Sequence, residues 1–149
     1  MCMRRNNTRQ PNLSALHQAA IDIYISIHHT ENRVVQLEQQ IRAATDIFES
    51  LPVESVDCEA KGMEVIALAD QLADEYHRWN ERYGPIVSRG DPASVLWEAG
   101  VRGFRDEEEM RAWIRQVSQT FSRKAREWRV FGDNVRKELE DIRRWKAGL

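Results

Sequence analysis

The chain has 149 residues, with 22 Lys/Arg against 24 Asp/Glu and a formal net charge of −2. That length fits a single domain of ordinary size, and the near-neutral total argues against a general nucleic-acid coat protein. Two cysteines, Cys2 and Cys58, make neither a CxxC pair nor a disulfide framework, which excludes a zinc ribbon or a stapled secreted scaffold and points to a reducing, cytoplasmic setting.

Residues 1–11 carry Arg4, Arg5 and Arg9 without a following apolar core, so they read as a basic flexible arm and not as a secretory leader. The most apolar stretch, Ile21 to Ile27, is broken by Asp22 and Ser26 and falls far short of the ~20 apolar residues that span a bilayer, so no contact with a membrane is expected. Glycine and proline are few and clustered, at Pro11, Pro52, Gly84-Pro85, Gly90-Asp91-Pro92, Gly100 and Gly103. Between those marks the apolar residues keep a helical period, which predicts one all-α domain over residues 12–149.

The first helix is predicted over residues 12–50, capped by Asn12 and stopped by Pro52. Its apolar residues alternate three and four: Leu13, Leu16, Ala20, Ile23, Ile27, Thr30, Val34, Leu37, Ile41, Ala44, Phe48, Leu51. Only Thr30 is polar in this heptad seam, which is the pattern of a coiled coil or bundle. A second helix is expected over 55–83, with Asp57 and Glu59 in the first turn, where the helix dipole favours carboxylates. Its seam tapers from small residues (Cys58, Gly62) to aromatic ones (Tyr76, Trp79, Tyr83), which suggests close helix approach at Gly62 and a bulky plug at Trp79.

Asp91-Pro92 starts a short helix over 92–99, since Asp caps free N–H groups and Pro fits the first helical position. Asp106 and Glu109 form a capping box that opens a last helix over 106–146. Its stripe, from Met110 through Trp113, Ile114, Val117, Phe121, Ala125, Trp128, Phe131, Val135, Leu139 and Ile142 to Trp145, stays in phase across Gly132, so one continuous helix is expected. At 1.5 Å per residue the first and last helices would each span roughly 60 Å, too long for a sphere. The expected fold is therefore an elongated helical bundle with coiled-coil-like helices, three long and one short.

No catalytic, metal or cofactor site is legible. A di-metal bundle site needs Glu-x-x-His twice, and the nearest imitation is the single Asp74-x-x-His77. Cys58 lies on an apolar seam with no basic neighbour in its turn, and no glycine loop resembles a phosphate cradle. The readings that remain concern binding. A seam left partly uncovered at Ile23, Ile27, Val34, Leu37 and Ile41 would support a homodimer or the capture of a partner helix, as in an adaptor, assembly subunit or inhibitor.

Charge is also segregated along the chain. Residues 12–105 hold 8 Lys/Arg against 15 Asp/Glu, and residues 110–146 hold 11 against 5. Arg123, Lys124, Arg126, Arg129, Arg136, Lys137, Arg143 and Arg144 make the last helix a possible surface for an anionic partner, either an acidic protein or, as the alternative function, a nucleic acid. The bland reading is that the acidic and basic faces complement one another within the fold.

Overall fold

The computed structural model describes residues 13–148; the Asn12 cap, the basic arm of residues 1–11 and Cys2 lie outside them. Among the described residues the fold is all-α, with four helices and no strand. Helix α1 spans Leu13–Ser50, α2 Val56–Arg89, α3 Pro92–Glu98 and α4 Glu107–Lys146.

The helix ends follow local chemistry. Ser55 Oγ accepts the Asp57 N–H at 3.2 Å at the start of α2. Asp91 Oδ1 accepts the Ser94 N–H at 3.4 Å at the start of α3, with Pro92 beginning that helix. The α3 terminus closes with Gly100 N–H to Trp97 O and Val101 N–H to Leu96 O, and Gly100 takes φ 92°, a left-handed conformation in which a side chain would be strained. At α4 the Glu109 N–H donates to Asp106 Oδ1 at 2.8 Å, while the Glu109 carboxylate accepts the Arg105 N–H. The capping box thus reaches back one residue beyond its usual partner.

One boundary differs from the sequence expectation. Helix α2 does not stop at Tyr83; it runs through Pro85 to Arg89. Proline lacks an N–H and strains the preceding turn, but continuing the helix buries Val87 beside Pro92, Ala93 and Ile114. The Gly90 N–H then bonds to Ile86 O at 2.8 Å, closing the final turn. Burial of an apolar side chain, about 1.5 to 3 kcal/mol, offsets much of the proline penalty.

Contacts gather the chain into two units. The first holds α1 through His29, α2 from Trp79, α3 and α4 through Thr120. Its core includes Ala20, Ile23, Ile27, Trp79, Val87, Leu96, Met110 and Ile114. Trp79 Nε1 donates to Ser26 Oγ at 2.8 Å, and that hydroxyl donates to Ile23 O at 2.8 Å, so the buried indole is satisfied without water. Arg111 grips Asp91 with two bonds, 3.0 and 2.7 Å, tying α4 to the cap of α3.

The second unit is built from α1 after His29, α2 up to Arg78 and α4 from Phe121. Val34, Ile41, Ala44 and Phe48 of α1 are buried, as are Val65, Ala69, Leu72 and Tyr76 of α2 and Phe121, Ala125, Val135 and Leu139 of α4. The buried Thr30 hydroxyl accepts from Arg33 Nη2 at 3.4 Å. At Gly62 the helices come close: a Cβ there would lie 2.7 Å from Leu139 Cδ2 and 3.0 Å from Phe48 Cε1. Only glycine leaves room for that approach.

Two outcomes test this packing. Ile27 is fully buried whereas Val35 is half exposed. Ile27→Asp is therefore expected to cost at least ~3 kcal/mol and Val35→Asp to stay within ~0.5 kcal/mol, measured by thermal melts followed by circular dichroism. The Arg111 hydrogen bonds also hold the Asp91 carboxyl below its ordinary value of 3.8, against a smaller opposing effect of burial. A depressed folded value means that this stabilisation is present above about pH 4 and is lost as the pH falls below it. Asn keeps the cap acceptor but not the charge, so the melting-temperature gap between the unmutated protein and Asp91→Asn should shrink as the pH is lowered from about 5 to about 3. A gap that stays constant over that range rejects the ion pair as its source.

Candidate functional site

The seam residues singled out in the sequence are placed differently from an open interface. Ile23, Ile27, Val34 and Ile41 are buried within the single chain, and Leu37 is half-buried. The four buried residues belong to the cores of their units, Ile23 and Ile27 in the first and Val34 and Ile41 in the second, and a partner could reach them only if the packing opened.

The basic residues of α4 are largely engaged with the protein's own carboxylates. Lys124 reaches Glu38 of α1 at 3.5 Å. Arg129 pairs with Asp74 at 3.2 Å, Arg136 with Asp70 at 2.6 Å, and Arg143 with Glu59 at 3.5 Å. Those three arginines recur every seven residues, and their partners descend along α2, so the two helices run antiparallel with an ion-pair ladder between them. Arg123 pairs along α4 with Glu127, and Arg144 with Glu140 and Asp141. Arg126 and Lys137 form no ion pair among the described residues.

At the inner edge of this ladder, Tyr76 Oη donates to Glu38 Oε1 at 3.1 Å, and Lys124 Nζ lies 5.9 Å from the centre of the Tyr76 ring. Burial first, then the Glu38 carboxylate, pushes the Tyr76 hydroxyl above its ordinary range. It stays protonated and donates throughout the working pH range.

The ladder has a gap. Between the Arg136–Asp70 and Arg143–Glu59 rungs lies a cleft of about 430 Å³, lined by Met63, Ile66, Ala67, Asp70, Arg136, Leu139, Glu140 and Arg143. Ile66 and Leu139 are buried at its base, whereas Met63 and Ala67 are exposed. Sequence periodicity missed this cleft because it arises from which α2 residues face which α4 residues, not from either helix alone.

A second feature sits where α4 ends. Lys146 Nζ donates to Ser55 O at 3.4 Å, which sets the last turn of α4 against the α1–α2 connection. At these two segments Val56 is 84% exposed and Trp145 58%, with Val53 also exposed. The sequence placed Trp145 on the buried stripe of α4. It is uncovered because α1 ends at Ser50, so no helix continues alongside to cover it.

In the first unit His28 has Trp113 as a neighbour, with ring centroids 6.0 Å apart. Tyr24 lies 5.0 Å from His28, and Phe104 5.2 Å from Trp113. Among the described residues, no three of the His, Cys, Asp and Glu side chains converge to hold a metal ion, and no helix is long and apolar enough to cross a membrane. Comparison with protein-family models, with curated proteins and with solved structures found no match.

The ladder is open to a direct test. A double-mutant cycle with Arg136→Gln and Asp70→Asn should give a coupling of about 0.2 to 1 kcal/mol that falls as salt rises, because both side chains are partly exposed. A larger, salt-insensitive coupling would mean that the pair is desolvated.

Proposed function

We propose that this protein is a non-catalytic helical protein-binding module of the cytoplasm, an adaptor, assembly subunit or inhibitor, and that its partner docks on the end of the second unit. The observation that carries this reading is the exposure of Val56 and Trp145 on two segments joined by the Lys146–Ser55 contact. Exposed tryptophan beside aliphatic surface is what protein interfaces use as an anchor, since a large rigid side chain buries much area at little entropic cost. A second copy of the chain is the first partner to consider. A homodimer formed in this way leaves the buried seam of α1 intact.

The rival reading, a nucleic-acid-binding regulator or ribonucleoprotein subunit using the basic last helix, would rest on Arg126 and Lys137, which form no ion pair among the described residues. The other cations of that face already answer carboxylates of the chain, which weakens a phosphate-binding role.

Light scattering at tens of micromolar should give a mass above the monomer, insensitive to salt, and Trp145→Ala should lower it without loss of helicity. For a partner other than the chain itself, the same change should weaken binding by about 30-fold or more. Retained DNA or RNA released only by high salt would decide for the rival.

A further inference from the structure

The exposed Val53 and Val56 stand in a run of the chain that carries charge of one sign. Residues 43–60 hold five carboxylates and no Lys, Arg or His. With the end of α4, residues 140–148, the total is seven carboxylates against three cations. Those three cations are already engaged: Arg143 and Lys146 share Glu59, and Arg144 lies between Glu140 and Asp141. Glu49, Glu54 and Asp57 are exposed and form no ion pair among the described residues.

The fold accounts for only one of these three. Asp57 stands in the first turn of α2, where the helix dipole favours a carboxylate. Glu49 stands in the last turn of α1, where the dipole favours a cation and the helix supplies none. Glu54 lies in the connection between the two helices and makes no hydrogen bond among the described residues. Glu49 and Glu54 therefore add nothing to the stability of this end, yet they flank the valines that the docking surface presents.

We propose that the surface of Val56 and Trp145 takes a cationic amphipathic segment of another protein, with its apolar side chains on Val53, Val56 and Trp145 and its Lys or Arg on Glu49 and Glu54. The partner so named rests on the docking reading above and narrows it. A second copy presented face to face would add its own carboxylates to the surplus, so the cationic segment is the tighter ligand of the two. A nucleic acid is repelled from this end.

The test uses two fluorescein-labelled peptides with leucines at helical spacing, one with lysines and the other with glutamines at the remaining positions, read by anisotropy against the full chain. The lysine peptide should bind at least about tenfold more tightly at low salt, and the gap should close as salt rises. Trp145→Ala should weaken both. Glu49→Gln with Glu54→Gln should weaken the lysine peptide about fivefold, the scale of two exposed ion pairs, and leave the glutamine peptide unchanged. The same two changes should keep or raise the melting temperature, because they remove a carboxylate from the negative end of α1. Glu98→Gln with Glu127→Gln removes as much charge from exposed positions elsewhere and should leave both affinities within about twofold. Equal, Trp145-dependent affinity for the two peptides overturns the cationic partner and keeps the docking surface. A lysine preference that the control pair reduces as much as Glu49→Gln with Glu54→Gln overturns it in favour of net charge alone. Binding of neither peptide, or binding indifferent to Trp145, also overturns the proposal, and the light-scattering comparison with Trp145→Ala then judges the docking surface by itself.

Discussion

The second unit is organised by the charge difference between α4 and the helices it packs on. Arginines at 129, 136 and 143 meet Asp74, Asp70 and Glu59, and Lys124 meets Glu38. Pairs this exposed contribute little stability each, because water screens them and long side chains lose entropy when held. Their weight lies in choice. A shift of α4 by one turn, or its reversal, would separate these cations from their carboxylates on α2, so the pairs add to the choice of register. Stability itself comes from the side chains beneath, where Gly62 lets Leu139 and Phe48 close on α2.

Much of this was legible in the sequence. The three-four spacing of α1 marked Ala20, Ile23, Ile27, Val34, Ile41, Ala44 and Phe48, all buried, because a continuous stripe on a long helix must find cover. Asp91-Pro92 and Asp106 with Glu109 marked helix starts, since capping is decided within a few residues. Pro85 misled because its cost is local whereas the burial of Val87 that offsets it is tertiary. Leu16 and Trp145 misled for the opposite reason: periodicity identifies a stripe but not how far the neighbouring helices extend beside it.

The candidate sites were harder to see for the same reason. An eight-residue list of cations on α4 is sequence information; that Lys124, Arg129, Arg136 and Arg143 are answered by Glu38, Asp74, Asp70 and Glu59 is a matter of pairing between distant segments. Arg143 and Lys146 share Glu59, and Arg144 lies between Glu140 and Asp141, a sharing that no single helix reveals. Sequence reasoning did anticipate the mutual complementation of an acidic body and a basic helix, but had no means of finding which carboxylate answers which cation.

The buried thiol of Cys58 gives the molecule a built-in clock. It is free, it sits in the first turns of α2, and its own N–H is tied to Ser55 O at 3.2 Å, in the connection that Lys146 also contacts. A thiol reagent can reach that sulfur only while this end of the unit is open, so its labelling rate counts openings there and nowhere else in the described chain. Whatever settles on Val56 and Trp145 would lengthen the interval between those openings, and occupancy of that end becomes readable as elapsed time.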